Sequence, residues 1–206
     1  MKGIRFFALT GIICTVLPCA GCTIIKSAET QRTGPQLIRY AQGEFSAING
    51  FDAQVTVTLP QTQEPAQMSA NWQGRDGQLT FLSPQWMEGT CLQWEKDNLT
   101  VQYQDASYEL GNGWDSLPVL WAARFPTYLL QTLQQGEVEE VDGDLYYTFS
   151  PTSQVPALTC RAVVEGVSCT PTQLELICGD QVTVLEVESF TPLRPAQQTT
   201  QEGDAS

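Results

Sequence analysis

Short runs in which apolar and polar residues alternate dominate the middle of the chain, and they constrain the fold more than any other feature. Residues 53–59 read AQVTVTL, residues 144–150 read DLYYTFS and residues 181–187 read QVTVLEV. Successive side chains of a strand point to opposite faces, so each run places its apolar residues on one face. Lys96-Asp97-Asn98 and Gly179-Asp180 each predict a hairpin between two such runs. The pattern predicts a mainly β fold, an antiparallel sheet with one buried and one solvated face.

One segment, residues 115–136, has a helical rather than an alternating period. Ser116 is a suitable N-cap, Pro118 suits a first turn, and Gly136 suits a helix end. Pro126 should kink the helix or split it in two. The helix is expected over 117–134, packed on the sheet through apolar residues at helical spacing: Leu117, Leu120, Trp121, Phe125, Tyr128, Leu129 and Leu133.

The first residues, MKGIRFFALTGIICTVLPCAGC, have the order of an export signal. Lys2 and Arg5 precede an apolar stretch, and Ala20-Gly21 precede Cys22, as signal peptides require small residues before cleavage. The ending resembles the bacterial lipobox, and that resemblance implies that residues 1–21 are removed and that Cys22 is lipidated. The sequence departs from the usual lipobox in having Cys19 where an aliphatic residue is typical.

Three other interpretations of Cys19 and Cys22 compete with lipidation. A redox CxxC should open a helix after a strand, whereas an apolar targeting segment precedes this one. A zinc site needs a second ligand pair, which the sequence lacks. Residues 6–25 hold no charge and are long enough to span a bilayer, so an uncleaved anchor is the main alternative. Both the lipoprotein and the anchor interpretation place the remaining chain outside the cytoplasm.

The domain boundaries follow from composition. Residues 22–36 are expected to be the lipidated N-terminus and a polar linker, residues 37–192 the β-rich domain, and residues 193–206 a disordered polar tail.

Charge and composition exclude several functions. The chain has 23 acidic residues against 10 Lys and Arg and has no histidine. Its acidity argues against nucleic acid as a partner, and the missing histidine removes Ser-His-Asp and Cys-His catalysis. Paired carboxylates such as Glu139 and Glu140 are the remaining candidates for an enzyme, but no geometry supports them. The acidic run EVEEVDGD (137–144) lacks the ligand order of a calcium loop and is typical of a solvated hairpin edge. We expect no enzyme activity, no metal and no cofactor.

Two passages resemble the LolA/LolB-like lipoprotein carriers: GQLTFLSPQWMEGTCLQWEKDNLTVQYQDASYEL (77–110) and CTPTQLELICGDQVTVLEVESFTP (169–192). This resemblance covers roughly residues 50–192. It implies a curved antiparallel sheet, an incomplete β-barrel whose concave face is closed by helices and holds acyl chains. The resemblance extends to anchored relatives without a carrier role, including spore-germination lipoproteins. Fold analogy alone does not fix function.

The expected ligand site is the concave face beneath the helix, where large aromatic side chains either line an open cleft or fill it. The candidate ligand-binding residues are Trp94, Tyr103, Trp121, Phe125, Tyr128 and Tyr147. An open cleft predicts a lipid-anchored protein on the outer face of the cell membrane that binds an acyl-type ligand or a lipoprotein. A filled core predicts a structural or regulatory protein that binds an envelope partner, for example in sporulation or germination.

Four cysteines follow Cys22 in the sequence: Cys91, Cys160, Cys169 and Cys178. An even number in an exported chain suggests disulfides. Cys160 and Cys178 fall on the inward face of strands expected to be neighbours, so a bridge between them is favoured. Buried free thiols are the alternative. Trp86-Met87 lies in an expected loop, where it is either exposed or tucked under the helix.

Overall fold

The computed structural model describes residues 32–58, 64–96, 98–111, 122–152 and 158–195. Two helices and eleven strands lie within these ranges. The helices are α1 (Gly34–Ser46) and α2 (Phe125–Gln135), and a 3₁₀ turn (Ala122–Arg124) precedes α2. The strands are β1 (Gly50–Thr58), β2 (Ala66–Gln73), β3 (Asp76–Phe81), β4 (Cys91–Glu95), β5 (Asn98–Tyr103), β6 (Ala106–Gly111), β7 (Glu137–Val141), β8 (Asp144–Phe149), β9 (Leu158–Glu165), β10 (Thr170–Cys178) and β11 (Gln181–Leu193).

All eleven strands form one antiparallel sheet in the order β6-β5-β4-β3-β2-β1-β11-β10-β9-β8-β7. The sheet consists of two meanders, β1–β6 and β7–β11, joined where β1 pairs with β11. The sheet does not close into a barrel, because β6 and β7 form its two edges. The predicted fold class, an incomplete antiparallel barrel with a helix packed on it, is confirmed.

The predicted hairpins form at the expected turns. Glu95 pairs with Asn98 across the first turn, and Cys178 pairs with Gln181 across the second. The acidic run EVEEVDGD forms β7, the turn Asp142–Gly143 and the start of β8, so it is the edge hairpin that the sequence predicts. Its three exposed glutamates also suit an edge strand, because charge discourages pairing with another chain.

Helix α2 lies in the connection between the two edge strands β6 and β7 and packs on β8 and β9. Pro126 lies in its first turn, where a missing N–H costs nothing, so this proline starts the α-helix rather than kinking it. The helix ends at Gly136, where the backbone becomes extended, and a Cβ at this position would lie 2.5 Å from the Thr132 carbonyl oxygen. The predicted cap at Ser116 and residues 117–121 lie outside the described residues.

Helix α1 was not predicted, and its first three residues fall within the expected polar linker. Pro35 lies in its first turn, and the Thr33 backbone N–H donates to the Gln36 side chain at 3.1 Å. Leu37, Ala41 and Phe45 recur every fourth residue and are buried against α2 and the sheet. Neither described helix is long and apolar enough to cross a bilayer.

A single hydrophobic cluster unites the inward faces of the strands with both helices. Its members all lie between Leu37 and Leu185, with Val187 and Phe190 packed against it. A chain of residues 27–206 therefore contains every core residue that the structure describes, which makes it suitable for experiments in solution.

Candidate functional site

A cleft of about 610 Å³ lies between α2 and one end of the sheet, and we call it the α2 cleft. The turn between α1 and β1, two hairpin turns of the sheet and one side of α2 contribute its walls. The cleft is lined by Ile48, Asn49, Trp72, Gly74, Arg75, Trp94, Lys96, Arg124, Thr127, Leu130, Gln131, Gln134 and Gln135.

Two tryptophans form the apolar floor of the α2 cleft. Trp72 and Trp94 each pair with Gly77 from opposite sides, so the two side chains come together over the missing side chain of this glycine. Their rings pack edge to face with centroids 5.5 Å apart, and the Trp72 indole N–H donates to the Gly74 carbonyl at 3.1 Å. A Cβ on Gly77 would lie 2.2 Å from the Trp72 ring, so no side chain fits between them.

Glutamines and backbone groups fix the rim where α2 approaches the end of α1. The Gln134 amide donates to the Ile48 carbonyl at 2.7 Å and approaches the Phe45 carbonyl at 3.4 Å. The backbone of Asn49 accepts from Gly74 N–H at 2.6 Å and donates to the Leu193 carbonyl at 3.0 Å. These bonds join α2, the α1–β1 turn and the sheet at the cleft. Within the described residues, the side-chain oxygen of Asn49 is buried there without a hydrogen-bond partner.

Three basic side chains converge on the cleft from separate parts of the chain. Arg75 lies in the β2–β3 turn, Lys96 lies in the β4–β5 turn, and Arg124 immediately precedes α2. In an antiparallel meander alternate turns lie at the same end of the sheet, which brings Arg75 and Lys96 together. The Lys96 backbone N–H donates to the Asp76 carboxylate at 2.8 Å and fixes the turn. None of the described residues that line the α2 cleft is acidic.

The aromatic residues predicted to bind a ligand have three different locations. Phe125, Tyr128 and Tyr147 are buried in the core beneath α2, and Tyr147 meets Phe45 edge to face at 5.7 Å. Trp94 is also buried, but it borders the α2 cleft. Trp121, like the predicted lipidation site Cys22, lies outside the described residues.

Tyr103 does not join the other aromatic residues. Its side chain is 39 % exposed at the end of β5, where strand alternation places it on the face of Leu99 and Val101. Tyr108 and Leu110 of the edge strand β6 are also exposed. Trp86 is 65 % exposed in the β3–β4 loop, which decides between the two alternatives for that residue.

The predicted disulfide between Cys160 and Cys178 is not formed, and all four described cysteines are free thiols. The register explains the difference, because Cys160 lies opposite Leu176 and Cys178 lies opposite Leu158. The two cysteines are therefore diagonal neighbours, a relation with a Cα separation of about 7–8 Å. A disulfide requires less than about 7 Å.

Burial favours the protonated form of three of these thiols, Cys91, Cys160 and Cys169. Burial raises the pKa of the Cys160 thiol to about 12. The nearby Thr132 hydroxyl has a smaller effect in the opposite direction, and its oxygen forms no hydrogen bond of ordinary geometry within the described residues. Burial also raises the pKa of Cys91 and the pKa of Cys169. The pKa of Tyr147 is raised mainly by burial and to a smaller extent by the negative charge of a Cys169 thiolate. A thiol nucleophile needs a lowered pKa, so these cysteines are packing residues.

The comparisons with known proteins concern the fold. No family model matches the chain, and no curated protein is similar to it in sequence. Solved structures with a similar fold include a LolA superfamily protein from Nitrosomonas europaea. Its sequence is 12 % identical, the similarity covers 80 % of this chain and 94 % of that chain, and the TM-score is 0.42. The lipoprotein LppX from Mycobacterium tuberculosis is 18 % identical, with coverages of 77 % and 96 % and a TM-score of 0.37.

A third similar structure is the complex of the CwlD amidase with the GerS lipoprotein from Clostridioides difficile. The matched chain is 17 % identical, with coverages of 79 % and 94 % and a TM-score of 0.39. The LolA-like resemblance of the sequence and these structural similarities concern the fold alone. These similarities describe the architecture, and they do not identify a ligand or a partner.

Sequence reasoning missed most of the α2 cleft. Trp72 could have been found, because Ala66, Met68, Ala70 and Trp72 alternate along β2 in the pattern used for the other strands. The basic residues could not, because they lie in three segments that only the tertiary fold brings together.

Proposed function

We propose that this chain is a lipid-anchored, extracytoplasmic bacterial protein without enzymatic activity that binds the acyl-type part of a ligand in the α2 cleft. The observation that carries the proposal is the cleft itself, a concavity between a helix and two tryptophans at the open end of a half-barrel. Its volume of about 610 Å³ falls within the range of small-molecule sites, about 300–1,000 Å³.

The site differs from the one that the sequence suggested. The concave face beneath α2 is occupied by Phe125, Leu129 and Leu133, all essentially inaccessible to solvent. An acyl chain would therefore lie at the end of the helix layer, in the open concavity of the α2 cleft, rather than beneath the helix. Each methylene that leaves water there contributes about 0.8 kcal/mol, so several suffice for measurable affinity.

Anchoring is supported by the residues before α1. The basic start, the apolar stretch and Ala20-Gly21-Cys22 favour lipidation of Cys22. A diacylglyceryl group supplies two acyl chains, enough for stable attachment where a single chain is marginal. Metabolic labelling with a fatty-acid probe should tag the wild-type chain, and Cys22→Ala should lose the tag. Equal labelling of both would exclude this anchor.

The absence of enzymatic activity is proposed from the placement of the candidate groups. Glu139 and Glu140 are successive residues of the edge strand β7, so their side chains point to opposite faces and do not form a catalytic pair. Glu140 instead accepts the Gly143 backbone N–H at 2.8 Å, which stabilises the hairpin turn.

Ligand binding is tested by filling the cleft without touching the core. Thr127→Trp places a large side chain in the α2 cleft from a half-buried position on α2. The matched control is Gln54→Trp, on the exposed outer face of β1. With residues 27–206, a fluorescent fatty acid should bind saturably to the wild type and to Gln54→Trp. Thr127→Trp should weaken binding at least tenfold with an unchanged thermal midpoint. Equal binding by all three would place the ligand elsewhere.

A different observation favours a second candidate function, in which the core is filled and the protein binds an envelope protein instead of an acyl ligand. Tyr103, Tyr108 and Leu110 expose apolar surface at β5 and the edge strand β6, and an edge strand offers unpaired backbone groups to a partner. A photo-crosslinking residue at position 108 should then trap a defined protein in cells, while the same residue at position 54 should not. Lack of saturable fatty-acid binding together with such a crosslink would favour this function.

A further inference from the structure

The two edges of the sheet differ in how well they are protected against pairing with another chain. Edge strand β7 carries three exposed glutamates among its five residues. Edge strand β6 carries one charge, Glu109, beside the exposed side chains of Tyr108 and Leu110, and no strand within the described residues pairs with its free side. Charge on an edge strand discourages pairing, and β6 has little of it. Of the two edges, β6 is therefore the one suited to accept a further strand.

The β5–β6 hairpin decides which backbone groups of β6 point to its free side. The turn has two residues, with Tyr103 and Ala106 opposite each other on either side of it. A turn of this length is closed by a backbone hydrogen bond between its flanking residues, and bonded and non-bonded pairs alternate from there along an antiparallel ladder. Counting from Ala106, the backbone of Tyr108 again bonds to β5. The N–H and C=O groups of Ser107 and Glu109 therefore point to the free side.

We propose that two copies of this chain pair through β6, antiparallel and about a two-fold axis at Tyr108, so that two eleven-stranded sheets join edge to edge. This axis places Ser107 opposite Glu109 of the second copy. The backbone groups that point to the free side in one chain then meet those of the other, and the two residues exchange hydrogen bonds. The inference concerns β6 and does not depend on ligand binding in the α2 cleft.

Charge selects this register from the others that bring outward backbone groups together. An axis at Glu109 would place the two Glu109 carboxylates directly opposite each other. An axis at Ser107 would place Glu109 opposite Asp105 of the second copy. Like charges directly opposite each other destabilise a strand pair, and of the three registers the axis at Tyr108 alone places Glu109 opposite an uncharged residue.

The same register covers apolar surface that the single chain exposes. Tyr108 lies opposite Val101 in the hairpin and so shares its face of the sheet. The two Tyr108 residues would form a non-hydrogen-bonded pair, in which the Cα atoms are about 4.5 Å apart and the side chains are closest. Aromatic pairs at such positions stabilise strand pairing, and the second copy would cover a side chain that is 63 % exposed.

The acidity of the chain should make the dimer weak and dependent on salt. Each copy has a net charge of −13, so two copies repel each other. The strand has six residues, and a contact of this size belongs to the small, transient class of interfaces. Salt screens charges that lie more than about 10 Å apart at 0.1 M. Dimerisation should therefore strengthen with salt, whereas a dimer held by ion pairs would weaken.

Sedimentation velocity of residues 27–206, over a wide range of protein concentration and at low and high salt, measures the equilibrium. Ser107→Pro removes an N–H on the free side, so it should abolish the dimer and keep the thermal midpoint, because edge strands tolerate proline at such positions. Tyr108→Pro is the matched control and should lower the midpoint, because it removes an N–H that bonds to β5. Glu109→Gln should strengthen dimerisation about two- to fivefold by removing repulsion between the copies.

Cysteine substitutions test the register itself. Tyr108→Cys would place two Cα atoms about 4.5 Å apart across the axis, within the range of about 4.4–6.8 Å that a disulfide requires. Ser107→Cys would place two Cα atoms at a diagonal separation of about 7–8 Å, beyond that range. Under mild oxidation Tyr108→Cys should form a covalent dimer. Ser107→Cys should not, and neither should Gln54→Cys, which lies on the exposed face of β1 and reports any contribution of the native thiols.

Each outcome decides for or against the second copy. A concentration-dependent dimer that Ser107→Pro abolishes and Tyr108→Cys traps would support the proposal. A monomer at every concentration and salt, or a dimer that Ser107→Pro leaves unchanged, would overturn it. A Ser107→Pro chain as unstable as Tyr108→Pro would show that the backbone groups point the other way and would overturn the register. A monomer that crosslinks from position 108 to a different protein in cells would favour the envelope partner instead, and none of these results alters the test of acyl binding.

Discussion

Gly77 is predicted to be required for the edge-to-face packing of Trp72 and Trp94 at the floor of the α2 cleft, and Gly77→Ala tests this. The added Cβ would lie 2.2 Å from Trp72 Cε3 and 2.8 Å from the Asn71 carbonyl oxygen, and Trp72 is fully buried. A buried ring and a strand backbone yield little, so the change is an overpacking substitution that costs about 1–3 kcal/mol. The 2.2 Å approach places the overpacking cost in the upper part of that range, about 2–3 kcal/mol. Replacing glycine by alanine inside a strand normally stabilises by up to about 1 kcal/mol, so the net loss of stability should be about 1–2 kcal/mol.

The same substitution at Gly43 is the matched control. A Cβ at Gly43 would have nothing within 4 Å, and this glycine lies inside α1. Gly43→Ala should therefore raise the free energy of unfolding by about 0.8–1 kcal/mol, the helix propensity difference. Urea unfolding of residues 27–206, followed by tryptophan fluorescence and by circular dichroism, measures both. Gly77→Ala that is neutral or stabilising, with Gly43→Ala behaving as expected, would refute the packing of Trp72 and Trp94 across Gly77.

Three further predictions concern the core and its thiols. Phe125→Ala should lower the free energy of unfolding, measured in urea, by about 3–5 kcal/mol, because the Phe125 side chain is fully buried. A loss below about 1 kcal/mol would instead indicate an open cleft beneath α2. The free energy of unfolding should fall as pH rises from about 9 to about 12, because the Cys160 thiol has a pKa of 9.0 in the unfolded chain and about 12 in the folded chain. Urea midpoints of the wild type and of Cys160→Ala that depend on pH in the same way would contradict this. Mass spectrometry after alkylation in denaturant without reductant should find four modified cysteines in residues 27–206, and two cysteines left unmodified would reveal a disulfide.

The sheet could be predicted because the sequence patterns that specify its strands and turns are local. A period of two assigns each residue of a strand to a face, and the turns at Lys96 and Gly179 fix the registers of two hairpins. The acidic run 137–144 was likewise correctly interpreted as an edge hairpin.

Features that depend on contacts between residues distant in the sequence could not be predicted. Helix α1 has a favourable first turn and a buried Leu37-Ala41-Phe45 row, but its polar composition resembles a linker until the rest of the core is in place. Pairing of Cys160 with Cys178 depended on a register that the strand pattern alone does not supply. The position of Tyr103 depended on how much of the sheet the helices cover.

Amide and indole ¹H–¹⁵N spectra of residues 27–206 titrated with dodecanoate test the central claim, that the α2 cleft is the ligand site, most directly. The account predicts shifts of the Trp72 and Trp94 indole N–H signals and of backbone amides along residues 124–135, saturating with the same affinity. The indole signal of Trp86, exposed in the β3–β4 loop, should stay in place as an internal reference. Shifts centred on Tyr103, Tyr108 and Leu110 with α2 unaffected, or no saturable shift, would contradict the account.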